Sequence, residues 1–92
     1  MQERAPLYIA TSSYIAAFDS HTGQGLWRTQ LEAPSGARMS VLERGRVLYV
    51  GCYGILYALD AQTGKALWKN SLQGMGHLEI DLYFLGKRVT AA

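Results

Sequence analysis

Few side chains in this sequence have the types and spacing that chemistry requires. His77, Glu79 and Asp81 alternate, so on a strand they would share one face and could hold a metal ion. That spacing is permissive, and carboxylates in such a place more often pair with a basic neighbour. Cys52 is the only cysteine, so no internal disulfide can form, and it reads as a small, partly buried, neutral thiol. His21 falls in a turn and reads as solvent-facing. No nucleophile, base and orienting group come together in the pattern. The expectation is therefore no catalytic residue, no metal ligand and no cofactor, with a non-catalytic chain preferred over an enzyme and the enzyme reading left open.

Composition narrows the classes further. At 92 residues the chain is at most one small domain. Apolar residues make up 49% and charged residues 17%, a balance that excludes disorder and a membrane span. Met1 to Ala10 carry Glu3, Arg4 and Pro6 and no apolar run of the signal-peptide kind, which by default places the chain as given in the cytoplasm. The net charge of +2 is spread thinly. Lys65 and Lys69 read as a solvated strand face, and nothing points to nucleic acid.

The elements that position these residues come from a repeat. Ala17-Phe18-Asp19-Ser20-His21-Thr22-Gly23-Gln24-Gly25-Leu26-Trp27 recurs as Ala58-Leu59-Asp60-Ala61-Gln62-Thr63-Gly64-Lys65-Ala66-Leu67-Trp68, 41 positions later. Residues 7–31 align with 48–72 without a gap, and Met39 to Leu42 align with Ile80 to Tyr83. In each copy an apolar segment runs into an Asp, whose carboxylate can take backbone N–H groups just ahead of it and start a turn. Thr adds a weaker hydroxyl bond. Gly23 and Gly64 sit where a hairpin of this length takes a positive φ. Four residues later a Trp lies on the returning strand. Gly23 followed by Gly25 argues against a helix here, and the Tyr, Ile, Val and Trp of the flanks favour strands.

A period near 41 with strand-like segments falls in the propeller range. One complete unit reads as four strands, from the axis outward, at about 38–43, 46–52, 55–60 and 66–72. Gly45 and Gly54 make the tight turns, and 32–37 is the longer link between blades. The chain begins at the second strand of a first blade, Leu7 to Thr11. It ends with a first strand at about 78–84 and a short second strand at 87–91. The expected organisation is a single unit over 1–92, with repeat 1 at about 5–45, repeat 2 at about 46–86 and the start of a third at 87–92. The fold class is all-β, about two four-stranded antiparallel propeller blades of a larger closed ring. Glu79 matches Arg38 in this alignment, so adjacent first strands could bring the two charges together.

The A-x-D-x-x-T-G-x-x-x-W signature, with Leu-Tyr-Val-Gly-x-x-Gly-x-Leu-Tyr-Ala-Leu-Asp at 48–60, resembles the tryptophan-docking motif of the PQQ-like (quinoprotein-type) β-propeller repeats. The resemblance implies that Trp27 and Trp68 stack on neighbouring blades. Gly23 and Gly64 would be the platforms, Ala17 and Ala58 the spacers, and Asp19 and Asp60 the turn anchors, with Thr22 and Thr63 beside them. Gln24 stands where the family prefers Lys, as at Lys65. Members usually close rings of seven or eight blades and include quinoprotein dehydrogenases, an outer-membrane assembly lipoprotein and cofactor-free scaffolds. The dehydrogenases use calcium, carboxylates, a vicinal cysteine pair and a stacking Trp. This chain has one Cys, and the docking motif takes both Trp residues.

Two blades leave two broad apolar faces uncovered, and arrays of this kind usually need three or more repeats. The chain is therefore expected to act as an interaction scaffold that closes its propeller with copies of itself, about six blades from three copies or eight from four. A strand carrying Leu78, Ile80, Leu82 and Phe84 would add beside Leu7–Thr11 of the next subunit. The segment 87–91 aligns with the same position and would have to peel away. A second polypeptide completing the ring, or a longer repeat protein of which this is a piece, are the other arrangements. The alternative function is a subunit or fragment of a quinoprotein dehydrogenase.

Overall fold

The computed structural model describes residues 6–34, 36–76, 80 and 82–83. Seven strands form in chain order: β1 (Pro6–Thr11), β2 (Tyr14–Asp19), β3 (Gly25–Gln30), β4 (Met39–Arg44), β5 (Val47–Cys52), β6 (Ile55–Asp60) and β7 (Ala66–Asn70). They make two antiparallel meanders, a three-stranded sheet β1-β2-β3 and a four-stranded sheet β4-β5-β6-β7. The first sheet has the second, third and fourth strands of a blade, as the alignment of the repeats requires. Among the described residues no helix is long and apolar enough to cross a membrane.

The tight turns explain the strand limits. Ser12-Ser13, Gly45-Arg46 and Tyr53-Gly54 each place two successive residues at positive φ. Two such residues form the mirror-image turn that matches strand twist. Because Arg46 belongs to its turn, the following strand starts at Val47 and not at 46. The fourth strand was expected to reach 72 and stops at Asn70. There the Asn70 carboxamide accepts the Leu72 N–H at 2.9 Å, and Leu72 turns to φ 49. Ser13 carries a positive φ without being glycine. Its hydroxyl donates to the Ala33 carbonyl at 2.7 Å and its own carbonyl accepts the Leu31 N–H at 2.7 Å, which tie the hairpin to the inter-blade link.

The core lies between the two sheets. Ile15 of the first sheet and Leu48, Val50, Cys52 and Leu59 of the second are fully buried, with Leu31, Tyr57 and Ala61 around them. Burying an aliphatic side chain of this size contributes about 1.5–3 kcal/mol. Strand alternation assigns the faces. Tyr8, Ile15, Ala17, Trp27 and Thr29 share the inward face of the first sheet, and Leu7, Ile9, Ala16, Phe18 and Arg28 its outward face. In the second sheet Leu48, Val50, Tyr57 and Leu59 face inward, while Tyr49, Leu56, Ala58 and Trp68 face outward. Ala58 is fully buried on the outward face, in the row between Tyr49 and Trp68.

Candidate functional site

The site is the pair of Asp-Thr-Gly hairpins and the strands that leave them. In the first hairpin the Asp19 carboxylate accepts the His21 N–H at 2.8 Å and the Thr22 N–H at 3.3 Å. The Thr22 hydroxyl accepts the Gln24 N–H at 3.2 Å. The second hairpin repeats this with Asp60 to Gln62 at 2.8 Å and Thr63 to Lys65 at 3.2 Å. Gly23 N donates to the Asp19 carbonyl and Gly64 N to the Asp60 carbonyl, at 2.8 and 2.7 Å. Both glycines lie in the left-handed region, at φ 80 and 78. A bulge follows each Ala, between Ala17 and Phe18 and between Ala58 and Leu59. It turns the returning strand so that each Trp stands directly across from its Ala.

The resulting cross-strand rows are alike. Ala17 pairs with Tyr8 on one side and Trp27 on the other. Ala58 pairs in the same way with Tyr49 and Trp68. The rings in each row are 6.2 and 6.3 Å apart, tilted by 40° and 49°. Both alanines are fully buried, so a larger side chain at either would separate its two rings.

The surroundings of the two rows differ. The Trp27 indole lies on the second hairpin. Its Nε1–H donates to the Ala61 carbonyl at 3.1 Å. The Thr29 hydroxyl donates to the Gly64 carbonyl at 2.6 Å. A Cβ on Gly64 would stand 2.4 Å from Trp27 Cε3 and 2.8 Å from the Thr29 hydroxyl, so only hydrogen fits there. Trp68 is 48% exposed, and a Cβ on Gly23 would meet nothing within 4 Å. One Trp and one Gly are thus joined in this chain, and one of each faces outward.

Polar contacts outside the motif complete the contact between the sheets. Glu32 N–H donates to the Tyr57 hydroxyl at 2.9 Å, and the Glu32 carboxylate pairs with Lys69. Burial raises the Tyr57 phenol above its usual value, and the bond to Glu32 raises the Lys69 ammonium. Burial also raises the Cys52 thiol. A cleft of about 320 Å³ opens beside the ion pair, between 29–32 of the first blade and Tyr57, Leu67 and Lys69 of the second. Sequence reasoning passed over Thr29, Ala61, Glu32 and Tyr57. Only Thr29 had a signal, since it lies two residues after Trp27 on the same strand face. Ala61 acts through its carbonyl, which any residue would supply.

His77, Glu79 and Asp81 lie outside the described residues, as do Leu78, Phe84 and the segment 87–91. The proposed pairing of Arg38 with Glu79 therefore also lies outside them. Among the described residues no three His, Cys, Asp or Glu side chains group as metal ligands. Ile80 and Leu82 are described and carry no strand assignment. The Ile80 side chain lies over Gly51 of its own chain, and the Ile80 carbonyl accepts the Ser40 hydroxyl. Ile80 therefore covers the β4–β5 side of the outward face of the second sheet, whereas Trp68 on its other side is half-exposed.

Comparison with known proteins agrees with this architecture. No curated protein sequence matches the chain. The crystal structure of BamB from Moraxella catarrhalis is similar, with a TM-score of 0.64 and 22% identity over 79% of this chain and 26% of that one. The chain thus spans about a quarter of that protein's length. A family model described as outer membrane protein assembly factor BamB matches residues 11–92. With repeated antiparallel blades and a family match over nearly its whole length, the chain belongs to this PQQ-like, BamB-type β-propeller repeat family.

Proposed function

We propose that the chain is a non-catalytic interaction scaffold whose two outward sheet faces are its binding surfaces, and that further copies of the chain complete its propeller. One observation carries this reading: Trp27 is seated on Gly64, whereas its repeat counterpart Trp68 and the counterpart glycine Gly23 both face outward. Trp27, Trp68, Gly23 and Gly64 act as blade-docking residues, with Ala17 and Ala58 as spacers. Asp19, Asp60, Thr22 and Thr63 hold the turns. Exposed apolar residues accompany the open positions, including Leu7 and Leu26 on the first sheet. Patches of this kind on a small chain mark interaction surfaces. The family description names an assembly factor, which is a binding role and not a reaction.

Native mass by light scattering on a size-exclusion column tests the proposal. A discrete mass of three or four chains, or a concentration-dependent rise toward it, is the expected result. A strict monomer at high protein concentration would overturn completion by copies and direct the search to a different polypeptide.

A further inference from the structure

The contact inside the chain is a template for a contact between chains. The inward face of the first sheet and the outward face of the second are repeat equivalents. So are the inward face of the second and the outward face of the first. Each open face therefore corresponds to a face that is already buried against its complement.

The correspondence extends to the cleft beside the docked Trp. The second blade contributes Tyr57, Leu59, Ala66, Leu67, Trp68 and Lys69 to it. A hollow on the outward face of the first blade is lined by Ala16, Phe18, Gly25, Leu26, Trp27 and Arg28, which are the same six positions one repeat earlier. This hollow is half of the cleft without its other wall. In the internal cleft that wall is 29–32, whose equivalents are 70–73 on the outward side of the second blade.

We propose that a second copy seats the Trp68 row on the outward face of the first sheet in the register of the internal contact, with Trp68 over Gly23. This rests on the reading that copies complete the propeller. The parts are already shaped for it. Trp68 is held against Tyr49 as Trp27 is held against Tyr8. The Gly23 turn has the φ and hydrogen bonds of the Gly64 turn. The Ser20 carbonyl holds the place of the Ala61 carbonyl and receives the Trp68 Nε1–H. Asn70 stands in place of Thr29, and its amide nitrogen donates to the Gly23 carbonyl. Ile80 covers Gly51, and Trp68 remains half-exposed.

Two polar contacts of the template are missing between copies. Lys69 and Glu32 pair internally, and their equivalents are Arg28 and Gln73. Arg28 is exposed and rests over the Tyr14 ring, 5.3 Å from its centre. Tyr57, which accepts the Glu32 N–H, is replaced by Ala16. Contact between copies is therefore weaker than the contact within one, and it depends on concentration.

The missing ion pair supplies the test. Sedimentation velocity is run on the full chain, on Gln73→Glu, and on Gln73→Glu with Arg28→Gln. The expected result is association tightened about two- to fivefold by Gln73→Glu, the range of an exposed ion pair. The gain should vanish at high salt and in the double variant. Association that Gln73→Glu leaves unchanged would overturn this register while leaving completion by copies standing. No association of the unaltered chain at any accessible concentration would overturn both. Gln73 is exposed, so the substitution leaves the fold intact.

Discussion

Adding one methyl group to each of the two motif glycines separates the cost of the turn from the cost of blade contact. Gly23 and Gly64 share a φ near 80 and the same pattern of turn hydrogen bonds. Alanine at either position carries the left-handed penalty of about 1–2 kcal/mol. At Gly23 that is the whole cost, because nothing lies within 4 Å of the new Cβ. At Gly64 the Cβ falls 2.4 Å from Trp27 Cε3, against an ordinary contact of 3.4 Å or more, so the indole must retreat by about 1 Å. That shift breaks the 3.1 Å bond to the Ala61 carbonyl, worth about 1 kcal/mol, and disturbs the Thr29 bond beside it. Overpacking adds about 1–3 kcal/mol. Gly64→Ala should therefore destabilise by about 3–6 kcal/mol and Gly23→Ala by about 1–2 kcal/mol. The assay is urea unfolding followed by Trp fluorescence, at concentrations below any self-association. Equal losses for the two variants would refute the seating of Trp27 on Gly64.

The same asymmetry predicts the behaviour of the tryptophans. Trp27→Ala should cost about 2–4 kcal/mol for a half-buried, hydrogen-bonded ring, and Trp68→Ala about 1 kcal/mol in the monomer, read from the same urea curves. Equal costs would mean that Trp68 is covered within the chain. Alkaline pH should weaken the fold through Cys52. Its folded thiol holds the proton to higher pH than the unfolded thiol, whose value is about 8.5. The stability contribution is therefore complete below that pH and is lost as pH rises on through the raised folded value. Urea midpoints from pH 7 to 10 should fall more steeply for the unaltered chain than for Cys52→Ala, and parallel slopes would refute the assignment.

Most of the fold was legible because local chemistry and the global pattern agree. Asp, Thr and Gly mark the longer hairpin, Gly45 and Gly54 mark tight turns, and alternating apolar residues mark the strands. The errors fall where a residue takes an uncommon backbone conformation without a glycine to announce it. Arg46 and Leu72 are examples, and each moved a strand end. The Ser12-Ser13 turn depends on the Ser13 hydroxyl reaching Ala33, a contact 20 residues away that no local pattern contains. The candidate site was legible as a set of positions on hairpins, but its occupancy was not. Trp27 and Trp68 look alike in sequence and lie on like strands. What distinguishes them is whether another hairpin stands in front of the ring. The partners that decide this are the carbonyls of Ala61 and Gly64, backbone atoms that carry no residue identity.

The single seam between the sheets also sets how the molecule comes apart. A stack of repeats behaves as a one-dimensional lattice, with an intrinsic term for each unit and a coupling term for each pair of neighbours. Among the described residues there are two units and one coupling. The largest fully buried aliphatic side chains among the described residues, Ile15, Leu48, Leu59 and Val50, all belong to that coupling. Neither unit retains a core when the seam opens, so the two sheets should melt in one transition. Amide exchange should be slowest in β2, β5 and β6, the strands that carry those four residues. It should be fast in the edge strands β1 and β7, where fraying needs no separation of the pair.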